Sequence, residues 1–140
     1  MNPATLESFP DTHYHADARL VTWHPRGVLD DELLDRVANF VELEEQIADA
    51  PFNRFTDFDH LTDIRLKIGH VFQVTGRHGA SYVGAPVKSA LCCKWIVGFG
   101  IARLYEELMK GAAIEVRAFH HPKEAADWLG VPEEILLPPT

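Results

Sequence analysis

Hydrophobic and polar positions along this chain follow two rhythms. One is alternation along extended backbone and the other a return every three or four residues, and the switches between them predict the elements. In THYHADARLVTWHPRG the pattern predicts two short extended pieces joined by a polar turn near Asp17. The better strand is Arg19 to His24, where Leu20, Val21 and Trp23 favour extended backbone and Pro25 and Gly27 stop it. Asp30 then predicts a helix N-cap, with Asp31 and Glu32 in the first turn where the helix dipole favours acids. Leu34, Val37, Val41 and Ala48 recur at helical spacing, flanked by Leu33, Phe40 and Ile47, while Asp35, Arg36, Glu42, Glu45 and Asp49 fall elsewhere. Pro51 ends that helix.

A strand through Arg54 to Phe58 fits the next segment. From Leu61 to Val83 two periods compete. Ile64, Leu66 and Ile68 alternate, whereas Ile68, Val71, Phe72 and Thr75 share a helix face. The reading adopted is a short extended link and then a helix from Ile68 to His78, weakened at its end by Gly76 and Gly79. The unit Ala85 to Phe119 is strand, helix, strand. Val87 to Cys93 is a covered strand, and Val97, Ile101, Leu104, Tyr105 and Leu108 form one helical stripe. Gly98 and Ala102 allow a close backbone approach, Gly111 is the expected C-cap, and Ile114, Val116 and Phe119 return as a strand. His121-Pro122 opens a last short helix with buried Ala125, Trp128 and Leu129, which Gly130 ends.

Alternating strands and helices at this spacing imply an α/β fold with parallel strands and right-handed crossovers. The 140 residues suit one domain, 1–140, with 1–11 a loose lead-in and 131–140 a tail. Composition changes the picture little, since 46% hydrophobic and 24% charged residues are ordinary for a globular chain. Charge changes it more. The formal net charge of −8 argues against nucleic acid or an anionic membrane surface as the main partner. Cys92 and Cys93 are adjacent, without CxxC spacing, and in a strand they point to opposite faces, so two buried thiols in a reducing cytoplasm is the plain reading. The opening MNPATLESFPDTHYH lacks a basic start with an apolar core, and no run reaches about 18 apolar residues, so neither a signal segment nor membrane insertion is expected.

PVKSA (Pro86 to Ala90), FGIARLYEEL (Phe99 to Leu108), IEVRAF (Ile114 to Phe119) and EAADWLG (Glu124 to Gly130) carry a resemblance. With RGVLD (Arg26 to Asp30) and FNRFTDFDHLTDIRL (Phe52 to Leu66), the chain resembles the SpoIIAA-like group of bacterial proteins over residues 12 to 132. This group is a branch of the STAS (sulfate transporter and anti-anti-sigma factor) superfamily. The resemblance implies a β-α superhelix, with a mixed, mostly parallel sheet of about five strands and helices mainly on one face. It also implies a binding or regulatory role rather than an enzymatic one. Anti-anti-sigma factors share an Asp-Ser-x-Gly segment whose serine is phosphorylated. The matching HLTDIRL has Thr62 and Asp63 but no such tetrad, so the phosphoswitch is not carried over.

Candidate chemistry is sparse. His13 and His15 would share a strand face, with His24 on the adjacent strand, and three imidazoles of that kind can hold zinc for a metal-dependent hydrolase. Exposed polar histidines at a sheet edge are the commoner outcome. Asp57 and Asp59, with Asp63 near, could bind a cation or set a perturbed pKa, although solvated loop aspartates are the plainer reading. There is no GxSxG, HExxH or Walker segment, no dinucleotide fingerprint around Gly98-Phe99-Gly100, and no nominated nucleophile or cofactor.

The apolar surplus is the better lead. Helices on one side of the sheet would leave the other face bare, and a mainly parallel sheet rarely does so. Trp23, the Phe52, Phe55 and Phe58 series, Tyr82 and Trp95 are the candidates to line it. The expected cover is a second copy in a homodimer, the tail Ile135 to Leu137, or an apolar ligand. The expected function is thus a non-enzymatic cytoplasmic STAS-like binding domain acting through protein association. The tentative binding residues are Trp23, Asp57, Asp59, Thr62, Asp63, Tyr82 and Trp95. The alternatives are a carrier or sensor of a small apolar, lipid-like molecule, for which folds related to lipid-carrying domains offer an analogy, and the hydrolase.

Overall fold

A computed structural model describes residues 6–139. Residues 1–5 of the expected lead-in, and Thr140 of the tail, lie outside them. Strand β1 (Thr12–His15) turns through a 3-10 segment at Ala16–Ala18 into β2 (Leu20–Trp23), and the two pair antiparallel. Arg19, in the left-handed region at φ 48°, makes that turn tight. Then follow β3 (Gly27–Asp30), α1 (Asp31–Ile47), β4 (Asn53–Asp57), β5 (Leu61–Arg65) and α2 (Ile68–Ser81). The chain continues with β6 (Val87–Cys92), α3 (Ile96–Leu108), β7 (Ile114–Phe119), α4 (Pro122–Leu129) and a closing 3-10 turn, Glu133–Leu136. The main sheet has the order β1-β2-β4-β6-β7, parallel apart from β1. This is the expected α/β architecture, with a five-stranded mixed, mostly parallel sheet.

Three expectations about the elements need correcting. Pro25 and Gly27 interrupt the strand but do not end extended structure. Gly27, at φ 75°, redirects the chain, which resumes as β3. The extended link before the second helix is also a strand, β5, paired parallel with β3 as a separate two-stranded ribbon. In it the partners step from Leu61 to Asp63, leaving Thr62 as the extra residue of a bulge. Neither strand is visible locally because each is short and stabilised by the other. The α3 C-cap also moves, to Met109, with Gly111 following at φ 86°.

Helix capping follows the sequence closely. Asp30 Oδ1 accepts from the Leu33 amide at 2.9 Å, and Asp31 Oδ1 accepts from the Lys67 amide at 3.1 Å, so two adjacent acids fix the starts of α1 and α2. Pro122 opens α4 and Gly130, at φ 73°, closes it. Gly98 of α3 lies against Cys93, whose Sγ occupies the space a Cβ would need, so the glycine makes room for a side chain rather than for the neighbouring backbone expected there.

Side chains alternate between the two sheet faces, and in-register neighbours of parallel strands share one. Val21, Arg54, Ser89 and Val116 therefore lie on the first face, with Trp23, Thr56 and Leu91. Helices α1, α2 and α3 cover this face. Leu20, Phe55, Ala90 and Cys92 lie on the second face and form a core cluster with Ala125, Ala126, Leu129 and Leu136. That face is covered by α4 and the tail. The homodimer expectation assumed it bare, and its premise is replaced by the chain's own C-terminus. Leu136 is 0% exposed.

Candidate functional site

The cover of the first face leaves a gap. Between it and the three helices lies a cavity of about 160 Å³. Its walls are Val21, Trp23 and Leu91 from the sheet, Leu34, Val37 and Val41 from α1, Val71 and Val74 from α2, and Ile101 and Tyr105 from α3. The lining is overwhelmingly apolar. An engineered apolar cavity of about 150 Å³ stays dry and takes up benzene or xenon, so the space suits a molecule of that size.

Charged groups stand at one part of this wall. Arg54 and His78 both line the cavity, and Glu45 joins them. Arg54 donates from Nη1 to Glu45 Oε2 at 2.7 Å, and His78 Nε2 lies 3.1 and 3.0 Å from the two carboxylate oxygens. Because a carboxylate only accepts, this nitrogen carries the proton. The side chains are 9%, 6% and 9% exposed for Arg54, Glu45 and His78. Burial opposes ionisation of Glu45, but the His78 hydrogen bond and the Arg54 charge outweigh it and hold the carboxyl below its ordinary range. Arg54 is fixed independently, donating from Nε to the Phe52 carbonyl at 3.0 Å and lying 4.5 Å over the Phe52 ring and 5.6 Å over Tyr82. Burial pushes the Tyr105 phenol up to about 12. Phe52 and Arg54 also border a surface cleft formed with Glu45, Pro51, Tyr82 and Gly84.

Glu44 behaves differently from its neighbour. It is buried with no hydrogen-bond partner at Oε2, and burial raises its pKa.

The predicted residues are spread around the molecule. Trp23 does line the cavity, on the first face rather than the second. Phe55 packs beneath α4, Phe58 belongs to the first-face cluster, and Phe52 packs with Leu6 and Val21. Tyr82 sits beside Arg54 and donates to the Ala85 carbonyl, while Trp95 is the N-cap residue of α3. Trp23, Phe52, Phe55 and Phe58 nonetheless all border the cavity, whereas Tyr82 and Trp95 do not.

Asp57 is buried, where its Oδ2 lies 3.2 Å from His60 Nε2 and 3.9 Å from His24 Nε2. Its Oδ1 accepts from the Asp59 amide at 2.9 Å, and Asp59 accepts from the Lys94 amide at 2.8 Å. These acids tie the strand-end loops together. Asp63 does not join them. It is exposed on β5, and hydrogen bonds from Arg65 and the Ile64 amide lower its pKa. Thr62 is exposed beside it.

The imidazoles also part company. His13 and His15 share a face with ring centroids 4.8 Å apart, as the strand period predicts. His24, however, turns into the core and meets the Leu136 carbonyl at 2.9 Å, helping to hold the tail. Among the described residues no group of three or more His, Cys, Asp or Glu is placed to hold a metal ion. Burial and the carboxylates of Asp57 and Asp59 push the Cys92 thiol up to about 12. Burial likewise takes Cys93 to about 11, so both are poor nucleophiles.

Sequence reasoning missed Glu45, Arg54 and His78. A signal existed for the two helical residues. Leu34, Ala38, Val41 and Glu45 follow one helical stripe, and so do Val71, Val74 or Thr75, and His78. A polar group on a buried stripe needs a partner, and these two are each other's.

The chain matches no family model, no curated protein and no solved structure in the comparisons made. Among the described residues no helix is long and apolar enough to cross a membrane.

Proposed function

We propose that this protein is a binding domain that takes up a small, mainly apolar molecule between the first sheet face and α1, α2 and α3, as a carrier or sensor. The observation that carries the reading is the apolar cavity of about 160 Å³ between the first sheet face and three helices. Protein interiors normally close such spaces, because each wall atom facing a void gives up its dispersion contacts. A guest restores those contacts and removes its own apolar surface from water, which is the thermodynamic basis of capture.

The test is direct. Freshly purified protein is examined by native mass spectrometry for a retained small mass. It is then titrated with benzene while the methyl resonances of Val71, Val74 and Leu91 are followed by NMR. Saturable shifts at these methyls and at the other methyls of the cavity wall, with a raised Tm, are expected. Unmoved methyl resonances at saturating benzene, together with a clean apo mass, would remove the proposal.

A further inference from the structure

The polarity of the guest follows from the charges at the cavity wall, and the inference rests on the cavity being a binding site. We propose that the Glu45, Arg54 and His78 cluster restricts the cavity to uncharged guests, of the class of small cyclic hydrocarbons or ketones with at most one weak hydrogen-bonding group.

Arg54 brings one positive charge to the wall. Glu45 balances it at 2.7 Å and is gripped through both oxygens by His78. The pair is therefore satisfied before any ligand arrives. A carboxylate guest would have to leave water for an apolar chamber and compete with a carboxylate already in place. An ammonium guest would meet Glu45 with both its oxygens engaged. Burying an ion without a free partner costs several kcal/mol, whereas a neutral ring has no such penalty. A single carbonyl on the guest can still accept from a guanidinium or phenol, because Arg54 and Tyr105 both line the chamber. Arg54 does not depend on Glu45 for its position, since the Phe52 carbonyl and ring hold it as well. Removing the Glu45 charge should thus leave a fixed, unbalanced cation beside an apolar chamber, which is a carboxylate site.

The experiment measures binding of benzene, cyclohexanone, benzoate and benzylammonium to the full chain by calorimetry and thermal shift, at about pH 8, above the ordinary imidazole range. The unaltered protein should bind benzene and cyclohexanone, with benzoate and benzylammonium on the order of a hundredfold weaker. Glu45→Gln should then admit benzoate and still reject benzylammonium. Equal affinity for benzoate and cyclohexanone in the unaltered protein would overturn the inference while leaving the cavity reading intact. So would a folded Glu45→Gln protein that does not gain benzoate. Should that variant not fold, the benzoate to cyclohexanone ratio in the unaltered protein decides alone. Failure of both neutral guests to bind would instead overturn the cavity reading and this inference with it.

Discussion

The two faces of the main sheet solve the same problem differently. The second face is closed by a helix of eight residues and one 3-10 turn, yet Leu20, Phe55, Ala90, Cys92, Ala125 and Leu136 are all 0% exposed. The first face has three longer helices above it and still encloses about 160 Å³ of space. Amount of cover and quality of filling are therefore separate properties. On the second face the small residues Ala90, Ala125 and Ala126 pack in one cluster with Phe55, and the rings of Phe119 and Trp128 lie against it. On the first face the buried cluster of Glu45, Arg54 and His78 stands beside the unfilled space, and an ion pair offers fewer hydrocarbon contacts than packed alanines.

Four measurements can break or sharpen this contrast. The largest effect belongs to the filled face, where Phe55→Ala should destabilise by about 3–5 kcal/mol in urea unfolding. A loss under about 1 kcal/mol would mean that this face is not well packed. Next, enlargement should change sign between the faces. Ala90→Val, on the filled face, should cost about 1–3 kcal/mol, since no space exists for two more methyl groups. Val74→Leu, on the cavity wall, should instead stabilise by about 0.5–2 kcal/mol and abolish the benzene-induced methyl shifts. The same sign for both enlargements would erase the distinction.

The smallest effect is in the pH dependence. Glu45 has a folded-state pKa held below 4.5, so its contribution to stability is present above that value and is lost as pH falls through the depressed one. Glu44, raised by burial, works the other way, favouring the fold at low pH and losing that contribution as pH rises through its folded-state pKa. Thermal unfolding between about pH 3 and 6 should therefore show a shallower acid loss for Glu45→Gln and a steeper one for Glu44→Gln, relative to the unaltered protein. Parallel curves for all three proteins would mean that neither carboxyl is coupled to folding.

Much of the fold is legible in the sequence. The α1 stripe, the Asp30 cap, the strand, helix and strand from Val87 to Phe119, and the Pro122 to Gly130 helix all stand where the pattern puts them. Each has a local cause in periodicity or capping. β3 and β5 escaped because Pro25 and Gly27 read as a stop and because neither strand is stable without the other. The site was less legible. Glu45 looked solvated because its neighbours Glu42 and Asp49 are acidic, although it stands one turn beyond Val41 on the buried stripe. The aromatic series looked like one surface because sequence order hides the sheet parity. Trp23 points to the first face, while Phe55, which also borders the cavity, points to the second and packs in the cluster with α4.

The sequence by itself determined the order and kind of most elements and the opposite facing of Cys92 and Cys93, since these depend on the geometry of a few consecutive residues. Tertiary structure alone decided that α4 and Leu136 cover the second face, that His24 joins Leu136 rather than His13 and His15, and that Glu45, Arg54 and His78 meet beside a cavity. These contacts join residues far apart in the chain. Whether they form is set by how whole layers pack, and no local pattern encodes the space left between them.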